Sequence, residues 1–144
     1  MPELVLNSVI RAIGFTQGGA PQTMGIFTIQ PDGSSPQKRA DYSTDWRWSA
    51  DGARIVSSQP VQSNNGGQLT FNVTVTTLAT GAEQAFPEGY NASGVTFTPS
   101  ANAVVFEGLC EGHDNSLCRL DLGSGATTLL VDYAGSGRPI FAPR

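Results

Sequence analysis

Cys110, His113 and Cys118 fall within one nine-residue stretch, together with Glu111 and Asp114. Metal, redox or acid–base chemistry would have to gather there. Seven residues separate the cysteines, which fits neither a redox Cys-x-x-Cys motif nor a common zinc spacing. With a single histidine in the chain, a four-ligand site would need carboxylates as well, so no metal site is expected. The pair reads as a cross-strand disulfide if the protein is exported, or as two buried thiols if it is not. His113 beside Asp114 and Glu111 has the residue types of an acid–base cluster. All three lie in one polar hairpin loop with no nucleophile beside them, and solvated loop residues are the better reading. No nucleophile elbow, phosphate-binding glycine loop or paired-carboxylate motif occurs; Gly18-Gly19 and Gly66-Gly67 are loop glycines. The expectation is a protein that is not an enzyme and uses no cofactor.

Composition narrows the partners. The net charge is −4 and the seven arginines are scattered, which argues against nucleic acid and against an anionic membrane surface. No apolar run approaches the roughly 18 residues that span a bilayer. The N-terminal residues from Met1 to Gly14 lack a basic region and a small-residue cleavage site, so they do not read as a signal peptide. A chain of 144 residues can bury a core as one domain without staples. Only 14% of residues are charged and Lys38 is the sole lysine, a profile of sheets and tight turns.

The elements that would position these residues are strands. In Thr44 to Ser58, Trp46 and Trp48 point to one side and Arg47 to the other, Ser49-Ala50-Asp51-Gly52 supplies a turn, and Ile55 and Val56 resume the apolar run. The register returns at Val95 to Ser100 with Val104 to Phe106, and again, cut short, at Pro139 to Arg144. Between the copies, Leu69 to Leu78 and Leu117 to Leu122 read as strands, Glu83 to Phe86 and Thr127 to Val131 as short ones. Pro60 to Gly67 and Glu111 to Ser116 read as loops. Residues 3 to 16, Met24 to Gln30 and Gln37 to Ala40 are also strand-like. The repeat is 49 residues from Trp48 to Phe97 and 44 from Phe97 to Phe141. A period in this range with four strands per unit marks a β-propeller blade.

These residues resemble the TolB-like propeller repeats. The run from Trp46 to Ser58 is similar to the family's aromatic, Ser-Pro-Asp-Gly, β-branched core. Val73 to Phe86 and Leu117 to Leu130 are similar to the strand, Gly turn and strand that follow it. The resemblance covers about residues 10 to 144. It implies an all-β fold of four-stranded antiparallel blades, about three per chain, with approximate repeats 1–43, 44–92 and 93–136. It favours a periplasmic or extracellular location, and it says little about function, because such blades serve many proteins. The later copy departs from the pattern at Ala101-Asn102, and the first copy lacks a clear aromatic-turn segment.

Three blades cannot close a ring. Residues Pro139, Ile140, Phe141 and Ala142 read as an innermost strand without its blade, while the start of the chain lacks such a strand. Two copies joined head to tail, each C-terminal strand completing the other's first blade, would give six blades about a two-fold axis. A fragment of a longer propeller, or Leu4-Val5-Leu6 as the first inner strand, are the other arrangements.

Innermost strands line a propeller's channel, and Asp45, Arg47, Thr96 and Arg138 come from matching positions; around a ring they would form a polar funnel. Trp46, Trp48, Phe97 and Phe141 read as core between blades. Three functions follow. One is a non-catalytic scaffold that binds itself and a protein or peptide. Another is a carbohydrate or small-ligand site in the channel, with Asp45 the one plausible carboxylate for catalysis. The third is a purely structural propeller fragment, natural or engineered.

Overall fold

The computed structural model describes residues 9–10, 25–28, 30, 32, 34–35, 37–41, 43, 45–62, 69–86 and 90–132. Among them all regular structure is antiparallel strand, in three sheets that each follow chain order. The chain divides into two compact units, residues 1–43 and 44–144.

The first unit holds β1 (Val9–Ile10), β2 (Gly25–Thr28) and β3 (Gln37–Asp41). Val9 lies opposite Thr28, and Ile26 opposite Ala40. Ile26 and Ala40 are buried, as alternation within a half-buried sheet requires. The β2–β3 turn closes with Gln30 N–H donating to the Ser34 carbonyl at 2.9 Å and Ser34 N–H to Asp32 Oδ1 at 2.8 Å. Lys38 runs over Gly25, where a Cβ would stand 2.6 Å from Lys38 Cε, and its ammonium reaches Asp41 at 2.7 Å. The same Cβ would stand 2.8 Å from the Ala40 carbonyl oxygen, backbone that cannot swing aside as the lysine stem can, so the position needs glycine.

The second unit holds two four-stranded meanders. The first comprises β4 (Trp46–Trp48), β5 (Arg54–Gln62), β6 (Leu69–Thr77) and β7 (Glu83–Ala85). The second comprises β8 (Ser93–Phe97), β9 (Ala103–Cys110), β10 (His113–Asp121) and β11 (Thr127–Val131). Period-two alternation gives each sheet two faces. Val56, Val73, Val75 and Phe86 of the first sheet share one buried cluster with Val95, Phe97, Val104, Phe106, Cys118 and Leu120 of the second. The two sheets thus pack face to face, and each fully buried large side chain, such as Phe106, contributes roughly 1.5–3 kcal/mol.

The repeats show in backbone detail. Thr77 N–H donates to the Ala82 carbonyl and Gly81 N–H to the Thr77 carbonyl, and Asp121, Ala126 and Gly125 make the same two bonds in the second sheet. Gly81 (φ 70°) and Gly125 (φ 74°) take the left-handed conformation that these turns demand. After the inner strands, Gly52 (φ 70°) is matched by Ala101 (φ 55°), which accepts a conformation costly for any residue with a Cβ.

Two sequence expectations are corrected. The polar run from Glu111 to Ser116 is not a loop: Glu111 (φ 50°) and Gly112 (φ 81°) alone form the turn, and β10 begins at His113. Positive φ at both central residues is the primed turn that matches strand twist. Pro60 likewise lies inside β5, opposite Phe71, rather than opening a loop. Because β4 pairs only with Ile55 to Ser57, Pro60 lies past the end of β4 and its missing N–H costs no ladder bond there.

Candidate interaction site

Each meander begins on an edge strand, β4 in one sheet and β8 in the other; of the residues expected at a channel, Arg47 lies on β4, Thr96 on β8, and Asp45 just before β4. The pairing of Arg47 with Val56 and of Thr96 with Val105 gives the two strands the same register. Arg47 and Thr96 are both half-buried, and Arg47 Nη1 donates to the Trp46 carbonyl at 3.0 Å. Arg138 and residues Pro139 to Ala142, like Leu4 to Leu6 and Phe141, lie outside the described residues.

Asp45 sits between the sheets. In β8 the register shifts between Ser93 and Thr96, so Gly94 and Val95 together face Phe106, and Gly94 takes φ 60°. This bulge removes the Gly94 N–H from the ladder, and Asp45 Oδ2 accepts it. The Asp45 carbonyl accepts from Ser58 N–H at 2.9 Å, while Ser58 Oγ donates to the Ala92 carbonyl at 2.6 Å. Asp45 and Ser58 therefore lock the start of β8 to the first sheet. Arg54 fastens the neighbouring corner: its guanidinium donates to the Ala101 carbonyl and lies 5.3 Å from the Phe97 ring centroid, a cation–π distance. None of these clamps could be read from spacing, because they depend on how two sheets meet. The one signal in the sequence was Gly94, 49 residues after Asp45 in the repeat.

Trp46 and Trp48 are half-buried and meet edge to face at 6.2 Å, whereas Phe97 is buried in the core between the sheets. At the opposite, outer end, Cys110 and Cys118 form a disulfide with their Cα atoms 6.3 Å apart. Beside it, Leu109 N–H donates to the Tyr90 carbonyl at 2.6 Å, and a Cβ at Gly108 would strike that same carbonyl. Tyr90 also packs on Phe106 at 5.3 Å, and burial raises its phenol pKa.

His113 pairs with Asp132 rather than Asp114, Nδ1 to Oδ1 at 3.2 Å, and the same oxygen accepts from Ser116 Oγ at 3.1 Å. Serine, histidine and aspartate are thus adjacent in the wrong order for a nucleophile: the carboxylate stands between the hydroxyl and the imidazole, and Ser116 is buried. Asn72-Val73-Thr74 matches the short N-glycosylation pattern, but Asn72 is buried on β6. No cluster of metal-ligating side chains occurs among the described residues.

Four-stranded antiparallel meanders, stacked face to face and each entered through an edge strand, are the blades of a β-propeller fold. The crystal structure of TolB from Acinetobacter baumannii matches 90% of this chain with a TM-score of 0.60 and 16% sequence identity. The chain spans 31% of that TolB chain. No family model matches the sequence, and no curated protein matches it.

Proposed function

We propose that the protein is a non-catalytic propeller scaffold that binds a protein or peptide partner, and that two copies close into a six-bladed ring. The observation that carries the reading is the strand count. Among the described residues the first sheet has three strands where the other two have four. Set against the repeat, β1, β2 and β3 correspond to the last three strands of a blade, and among the described residues the inner place, held by β4 and β8 in the other sheets, has no strand. Residues 139–142 of a second copy would fill it, and the partner's first sheet would receive the same segment from this copy. Arg47, Thr96 and Arg138 would then recur around the axis with Asp45, giving a polar lining suited to an extended peptide. The Cys110–Cys118 bridge supports an oxidising compartment.

Light scattering behind size exclusion tests the assembly. A particle of about 30 kDa, twice the 15.1 kDa chain, is expected across a range of concentrations. A persistent monomer would end the ring reading.

A further inference from the structure

The two sheets of the second unit are repeats of each other, so each position in one predicts the surroundings of its counterpart in the other. Aligning Trp48 with Phe97 places Val56 on Val105. Aligning the Gly81 turn with the Gly125 turn places Val73 on Leu117, Val75 on Arg119 and Phe86 on Leu130. In the first sheet these positions form the face that the second sheet covers, and Val56, Val73, Val75 and Phe86 are all buried. In the second sheet the matching face is open along its outer half. Leu130 is 46% exposed where Phe86 is 4%, and the adjacent Val131, opposite Leu117, is 51% exposed. Leu117 and Leu109 are half-buried, and Val105 lies beneath them near the inner edge.

We propose that this face of β8–β11, with Leu117, Leu130 and Val131 at its centre, seats the β1–β3 sheet of a second copy of the chain. The inference rests on the ring reading and says where the two copies meet, apart from the exchanged strand. What covers the matching face within the chain defines the occupant: a sheet of the same repeat, presenting aliphatic and aromatic side chains in period two, as Val95, Phe97, Val104 and Phe106 do. The chain carries both halves of such a joint. Its last described sheet has a largely apolar, open face, and its first sheet shows three strands among the described residues. Two copies related by a two-fold axis satisfy both at once, at two equivalent joints, whereas an unrelated partner would satisfy one and leave the other open. Glu107, opposite Leu117, and Arg119, where Val75 stands in the covered face, make this joint more polar than the one inside the chain, as suits a surface that meets water before assembly.

The test uses Leu130→Glu in the full chain. Its side chain is already half in solvent, so the fold should survive, as near-ultraviolet circular dichroism would check. A dimeric wild type and a monomeric Leu130→Glu chain, with dissociation raised at least tenfold, is the expected result. A dimeric wild type with an equally tight Leu130→Glu dimer would overturn the seat and leave the ring reading standing. A wild type that stays monomeric at all concentrations would overturn both. A Leu130→Cys chain gives a second readout that does not depend on tolerating a charge. Its thiol should react with a maleimide several-fold more slowly at concentrations where the protein is dimeric than after dilution; equal rates would count against the seat.

Discussion

Asp51 and Asp121 each hold a turn by accepting hydrogen bonds from groups two or three residues away. Asp51 Oδ1 accepts from Ser49 Oγ and from Ala53 N–H at 3.0 Å, and Asp121 Oδ1 from the N–H groups of Gly123 and Ser124 and from Ser124 Oγ. The Ser49 hydroxyl chiefly lowers the pKa of Asp51, and the Ser124 N–H chiefly that of Asp121. Because the folded state holds these carboxyls below their ordinary value, their contribution is present above about pH 4 and is lost as pH falls through the lower folded value. The Asp51→Asn, Asp121→Asn double variant should therefore be less stable than the wild type at pH 7. The gap should narrow as urea titrations are repeated from pH 5 down to pH 2. A gap independent of pH would mean that charge at these turns is irrelevant.

At the scale of elements, the disulfide joins the end of β9 to the middle of β10 across a sequence separation of 8. Closing so short a loop in the unfolded chain is worth about 2.5 kcal/mol on the chain-entropy account. Reduction, or the Cys110→Ala, Cys118→Ala pair, should lower the unfolding free energy by roughly that amount. An unchanged denaturation midpoint after verified reduction would contradict it. The strands themselves were largely legible. Trp46-Arg47-Trp48 and Leu117 to Leu122 alternate as half-buried strands do, and the Gly81 and Gly125 turns share one spacing. What escaped was fixed by pairing rather than by residue type. His113, Asp114 and Asn115 have loop-like side chains, yet β10 starts at His113 because the tight Glu111-Gly112 turn brings it opposite Cys110. Pro60 reads as a breaker, and only the short reach of β4 makes its place in β5 acceptable. For the site, matching register on β4 and β8 was legible from the 49-residue repeat. The use of Asp45 to take the Gly94 N–H was not, since it follows from a bulge and from the meeting of two sheets.

For the whole molecule, the repeat arrangement makes closure depend on both ends of the chain. In the proposed ring, residues 139–142 complete a sheet in the other copy, so removing residues 139–144 should abolish the dimer and leave sheet edges open to aggregation. Light scattering and a melting curve on the truncated chain would decide. Retention of the dimer mass and melting temperature would show that the segment is not the seal, without bearing on whether β8–β11 provides a seat.

Lys38 has a practical consequence. It is the only side-chain amine in the sequence, and it lies on β3 with its stem across Gly25 and its head 2.7 Å from Asp41. Amine-directed coupling, ordinarily a source of heterogeneous mixtures, has one side-chain target here. A fluorophore on Lys38, with the α-amino group left unlabelled or blocked, would report from the β1–β3 sheet, so energy transfer between differently labelled copies would follow subunit exchange in the proposed ring without engineering a single residue.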